Sequence, residues 1–179
     1  MRYLPLMIAL LGIHLTLPLC RAVAQGEPLP PECPIKTAVE NTVIVRAWHE
    51  EVINRRNPAI LQDILSPDVM HHAAGGYPKI MNATGVAAMM ADFLAAFPDI
   101  RYSFDQFLVQ DDYVVERYSA TGTQHGQFGD LPPSGRMATW TGINIFRIKC
   151  GRIVEVWSEV DAVNRRQQLT GATSANSPR

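Results

Sequence analysis

T-G-T-Q-H-G-Q-F at residues 121–128, L-P-P-S-G-R at 131–136, T-G-I-N-I-F-R-I-K-C-G-R-I-V-E-V-W at 141–157 and D-A-V-N-R-R-Q-Q-L at 161–169 decide the fold of this chain. They read as strand, long loop, strand, tight turn, strand and short helix. Cys150-Gly151 is a two-residue turn between two runs rich in β-branched and aromatic residues, which is the pattern of a hairpin. Gln124, His125, Asn144 and Glu159 stand among the apolar residues of these strands. A sheet face that mixes a few polar groups with aromatics can line a pocket for an organic ligand.

Upstream, Ile100, Tyr102 and Phe104 alternate with Arg101, Ser103 and Asp105, so a further strand precedes the turn at Gln110-Asp111-Asp112. Strands are expected over 113–125, 137–149 and 152–160, and Asp161 is placed to cap a last helix. The first half reads differently. Ile44, Trp48 and Val52 make one apolar stripe of a helix over 35–55. Asn57-Pro58 restarts a second helix, buried by Ile60, Leu61, Ile64 and Leu65 and stopped at Ser66-Pro67. A short strand over 69–73 comes next. A third helix starts after Thr84 and carries Val86, Met89, Met90, Phe93, Leu94 and Phe97 on its apolar face. Helices gathered early and a meander of antiparallel strands late make an α+β fold, with a bent sheet wrapped round the third helix.

The ends carry their own signals. Arg2, an apolar run over residues 3–19 and Ala22-Val23-Ala24 have the layout of a cleaved secretory signal over 1–24. Pro5, Gly12 and Pro18 interrupt the run, which is shorter than the about 20 apolar residues a membrane span needs. Residues 25–34 form a Pro-rich leader, 35–171 the domain, and 172–179 a frayed tail. Export to the periplasm or the medium is the expected localisation. In an oxidising compartment Cys33 and Cys150 are expected to bridge, closing a loop worth up to ~4–5 kcal/mol in the chain-entropy model. Neither has a metal ligand at close spacing, so no metal is expected. The balance is 16 Lys and Arg against 17 Asp and Glu, with no basic cluster beyond the pairs Arg55-Arg56 and Arg165-Arg166, so nucleic acid is not an expected partner.

The motifs T-G-T-Q-H-G-Q-F, L-P-P-S-G-R, G-I-N-I-F-R-I, C-G-R-I-V-E-V-W and the ending D-x-x-x-x-x-Q-Q-L-T-G resemble the SnoaL-like polyketide cyclase family, of the nuclear-transport-factor-2-like cone fold. The resemblance covers residues 37–171. It implies a cone with a hydrophobic cavity, frequent dimerisation through the sheet, and ring closure by aldol condensation without cofactor or metal. It also implies an aspartate acid/base in G-I-D-I-F-R, where this chain has Asn144, and a histidine in G-T-H-x-G, where it has Gln124, with His125 one place on.

Several residues are candidates for the chemistry. A neutral amide at Asn144 cannot abstract a proton but can hydrogen-bond a carbonyl or enolate. Gln124 and His125 point to opposite faces, as strand neighbours do. Of the adjacent pair His71-His72, His72 is expected at the cone mouth as general base, with Asn144 and Gln124 polarising the carbonyl. Glu159 is a further carboxylate, a candidate to face the mouth. Phe93, Phe97, Tyr118, Trp140, Phe146 and Trp157 are candidates for the apolar wall. Three readings stay open: an exported cofactor-free cyclase or isomerase acting on a small hydrophobic carbonyl compound, a non-catalytic binder of such a ligand, or a module whose sheet mainly forms a homodimer.

Overall fold

The structure, a computed structural model, describes residues 36–74 and 80–172. The signal over 1–24, the leader over 25–34, Cys33 and most of the tail lie outside the described residues.

The chain runs α1 (Ala38–Ala47), a π-helical continuation (Trp48–Asn54), a short 3-10 turn (Pro58–Ile60), α2 (Leu61–Ile64), β1 (Leu65–His72), α3 (Ala83–Ala96), β2 (Arg101–Gln110), β3 (Tyr113–Thr123), β4 (Met137–Lys149), β5 (Arg152–Val160) and α4 (Ala162–Thr170). The five strands form one sheet in the order β1-β5-β4-β3-β2. β2 to β5 are an antiparallel meander, and β1 joins its far edge parallel to β5. The architecture is the α+β arrangement expected from the sequence.

Local chemistry explains the elements. Thr37 and Glu40 form a reciprocal cap at the start of α1, Thr37 Oγ1 accepting from Glu40 N and Glu40 Oε2 accepting from Thr37 N. The helix then widens: Arg55 N donates to Glu50 O at 2.9 Å, five residues back. Widened turns of this kind recur at functional sites. This one turns Trp48, His49, Val52 and Ile53 together into the interior. α3 begins at Ala83 and is capped by Asn82, whose side chain accepts from Gly85 N at 3.0 Å, rather than by Thr84. Asp161 caps α4 as expected, accepting from Asn164 N. Gln168 of α4 clamps the start of β4, donating to Thr139 O and accepting from Thr139 N.

The core lies between the inner sheet face and α1, α3 and α4. Val86, Met90, Phe93 and Phe97 from the helix side meet Trp140, Phe146, Ile148 and Val156 of the sheet. An irregularity in β5 decides which of its side chains face inward. Arg147 pairs with Glu155 and Ile148 with Ile153, so Val154 is an extra residue in β5. Such a bulge shifts the alternation of side chains. Ile153 is buried, and beyond the bulge the inward positions are Val156 and Ser158.

Candidate functional site

Glu116 alternates on β3 with Val114, Tyr118 and Ala120, all buried. It stands opposite Asn144 of β4, which stands opposite Ser158 of β5. His71, at the end of β1 beside β5, reaches Ser158. Four adjacent strands thus carry a row of polar side chains across an otherwise apolar inner face. His49 descends on this row from the widened helical turn.

The row is bonded in two halves. In the first, Asn144 Nδ2 donates to Glu116 Oε1 at 2.8 Å, and His49 Nδ1 stands 3.1 Å from the same oxygen. Glu116 and His49 are 0% and 1% exposed. The His49 contact has the distance of an ion pair but not the alignment of a hydrogen bond. In the second half, His71 Nε2 lies 2.9 Å from Ser158 Oγ. Burial, helped by the neighbouring His72, lowers the pKa of His71 to about 4, so its ring is neutral in ordinary buffers.

Between the halves and the helices lies a cavity of about 80 Å³, lined by His49, His71, Asn144 and Ser158 on its polar side and by Trp48, Met89, Met90 and Phe93 on the other. Tyr102, Tyr118 and Arg165 complete it. The two tyrosine rings stack at 4.6 Å. Tyr102 keeps part of its surface in solvent, but its hydroxyl end is deeply enclosed. Burial raises both phenols, which are therefore neutral donors. The Arg165 guanidinium lies over the rings of Phe128 and Trp140 at 4.7 and 5.1 Å, bringing a positive charge to the chamber. Among the described residues no three His, Cys, Asp or Glu side chains are grouped to hold a metal ion.

The candidates from sequence separate accordingly. Asn144 lies in the row, and Phe93 and Tyr118 line the cavity. Phe97, Trp140 and Phe146 are core residues packed around it. Gln124 is buried, but its amide donates to the carbonyls of Gly126, Leu131 and Pro132 and accepts from Ser134 Oγ. It closes the 124–136 loop instead of facing the cavity, while His125 is exposed. His72 is on the outer face of the sheet, stacked on Trp157 at 5.3 Å and bonded to Glu155 at 2.9 Å. Glu159 is exposed. The bulge at Val154 is the reason that Trp157 and Glu159 face out while Ser158 faces in. His49, Glu116, Ser158 and Arg165 were not among the candidates. Glu116 had a legible signal, a carboxylate at the inward parity of an apolar strand.

The SnoaL-like polyketide cyclase family model matches residues 43–169. The candidate polyketide cyclase IdmH from Streptomyces antibioticus superposes with a TM-score of 0.65 at 26% identity, over 73% of this chain and 98% of its own. A candidate SnoaL-like polyketide cyclase from Jannaschia sp. CCS1 gives 0.69 at 19% identity, over 80% of this chain and 99% of its own. AclR from Streptomyces galilaeus, a candidate hydroxylase, gives 0.68 at 21%, over 76% of this chain and 100% of its own. No curated protein matches the chain. With the family match spanning most of the chain and the cone-like sheet in place, the chain belongs to the SnoaL-like polyketide cyclase family.

Proposed function

We propose that the protein is a cofactor-independent acid/base enzyme that enolises, isomerises or cyclises a small carbonyl compound, with His49 as the base. The observation that carries this reading is the buried contact of His49 with Glu116, itself held by Asn144, at the wall of a cavity. His49 faces the cavity and takes a proton from the carbon next to the carbonyl. Glu116 stands behind it and stabilises the imidazolium that forms, as an orienting carboxylate does for a catalytic histidine. Asn144 occupies the strand position at which the family resemblance implies an aspartate. A carboxylate stands one strand over, at Glu116, and the amide holds it. Arg165 and the two phenols favour the negative charge that develops on the substrate.

The cavity bounds the substrate. About 80 Å³ holds a compound of a few heavy atoms, far below the ~300–1,000 Å³ of sites that enclose drug-sized ligands. A polycyclic polyketide would extend well beyond it. The test is deuterium exchange at the central carbon of 2,4-pentanedione, monitored by NMR. Wild type should exchange it faster than buffer. His49→Ala and Glu116→Gln should lose about 10²–10⁴-fold. A wild type no faster than buffer rejects the enzyme reading in favour of a ligand-binding role, for which native mass spectrometry of retained small molecules is the measurement.

Export, the Cys33–Cys150 bridge and a homodimer belong to the same proposal. The first predicts a mature chain beginning near Gln25 when the protein is expressed with its leader, and the second an intact mass two hydrogens light before reduction. The homodimer is supported by exposed apolar residues on the outer sheet face, Ile143 and Ile145 on β4 and Leu108 on β2. Ile145→Glu should shift the light-scattering mass from dimer to monomer.

A further inference from the structure

We propose that Ser158 is the hydrogen-bond donor that receives the substrate's carbonyl oxygen, and that His71 is the residue that positions it. The inference deepens the enzyme reading above and rests on it. It starts from the protonation of His71. His71 Nε2 contacts Ser158 Oγ at 2.9 Å, while Nδ1 is buried with no hydrogen-bond partner among the described residues. A neutral imidazole carries one N–H, on one nitrogen or the other. Placed on Nδ1, that hydrogen would be an orphaned buried donor, the rarer and costlier kind of unpaired group. Placed on Nε2, it is spent on Ser158, and Nδ1 keeps only a bare lone pair. The structure therefore favours the Nε2–H form, donating to Ser158 Oγ. Burial keeps this ring neutral, which is the state required.

The consequence falls on the serine. Its oxygen accepts from His71, so its own proton is not used there. No other hydrogen bond joins Ser158 Oγ to a described residue, and the side chain lines the cavity. Its O–H is left to point at whatever occupies the chamber. Ser158 is the cross-strand neighbour of Asn144, whose amide is engaged by Glu116. His49 and Ser158 both line the cavity, so a carbonyl compound bound there meets base and donor together. In the step, the C–H bond breaks and its proton goes to His49. The electron pair forms the C=C bond, and the carbonyl π pair moves to oxygen, where the serine O–H holds it. On return of the proton to carbon, His49 is neutral again and nothing has been oxidised or reduced.

Two measurements test this. Long-range ¹H–¹⁵N correlation spectra of the wild-type protein between pH 5.5 and 8 should show His71 neutral with its proton on Nε2. The Nδ1–H tautomer or a charged ring overturns the proposal even if the protein is active. In the pentanedione exchange assay, Ser158→Ala should lower kcat about 10²-fold with KM changed only a few-fold. His71→Leu should fall similarly, and His71→Gln, whose amide can still donate to the serine, should recover most of the loss. Exchange at the wild-type rate in Ser158→Ala, with His49→Ala inactive, removes the serine while leaving the enzyme reading intact. Failure of the wild type itself removes both.

Discussion

A carboxylate without solvent contact needs partners, and Glu116 has Asn144 and His49. Removing one partner leaves a buried polar group unsatisfied. His49→Leu should therefore destabilise the fold by about 1–3 kcal/mol in denaturant unfolding, whereas His49→Leu combined with Glu116→Gln should recover part of it. His71 gives a different dependence. Its pKa falls from 6.5 unfolded to about 4 folded, so the unfolded chain binds the proton first as pH drops. The stability from its neutral burial is whole above about pH 6.5, erodes between 6.5 and 4, and is gone below. The loss is on the order of 3 kcal/mol. Urea midpoints at pH 7, 5.5 and 4 should decline, and His71→Gln should flatten that decline. Gly142 shows why the strand motif begins with glycine: a Cβ there would stand 2.3 Å from the Tyr118 hydroxyl. Gly142→Ala should push Tyr118 off its stack with Tyr102, read as a changed near-ultraviolet dichroism and a lowered melting temperature.

At the scale of elements, most helices and strands were legible, because apolar periodicity reports the burial that drives them. Val86, Met89, Met90 and Phe93 placed α3, and the alternation through Tyr102 and Phe104 placed β2. What resisted was anything depending on a local break in the period. The bulge at Val154 carries no glycine or proline to announce it, so continuing the alternation through β5 turned Trp157 and Glu159 inward and Ser158 outward. The widened turn at Trp48–Asn54 is equally silent in composition. His49, one place beyond the stripe of Ile44, Trp48 and Val52, reads as a flanking residue until that turn gathers it in. Caps are read more easily by type than by place. Asn82→Ala should cost about 1 kcal/mol, seen as a lower unfolding midpoint, while Thr84→Ala should cost much less.

For the whole molecule, the site is a product of topology. Glu116, Asn144, Ser158 and His71 come from β3, β4, β5 and β1, and no one strand holds more than a single member of the row. That is why the motif glycines and the closing Q-Q-L-T-G announced the family while the chemistry stayed hidden in pairings across the sheet. It also sets an order of events. Among the described strands β1 pairs with β5 alone, and β5 comes last of them in sequence. During synthesis the early helices and β1 must wait, with their apolar faces unsatisfied, until β5 has left the ribosome. Contacts this distant in sequence make for slow closure, so a nascent chain stays pliable and acquires its chamber only once β5 pairs with β1.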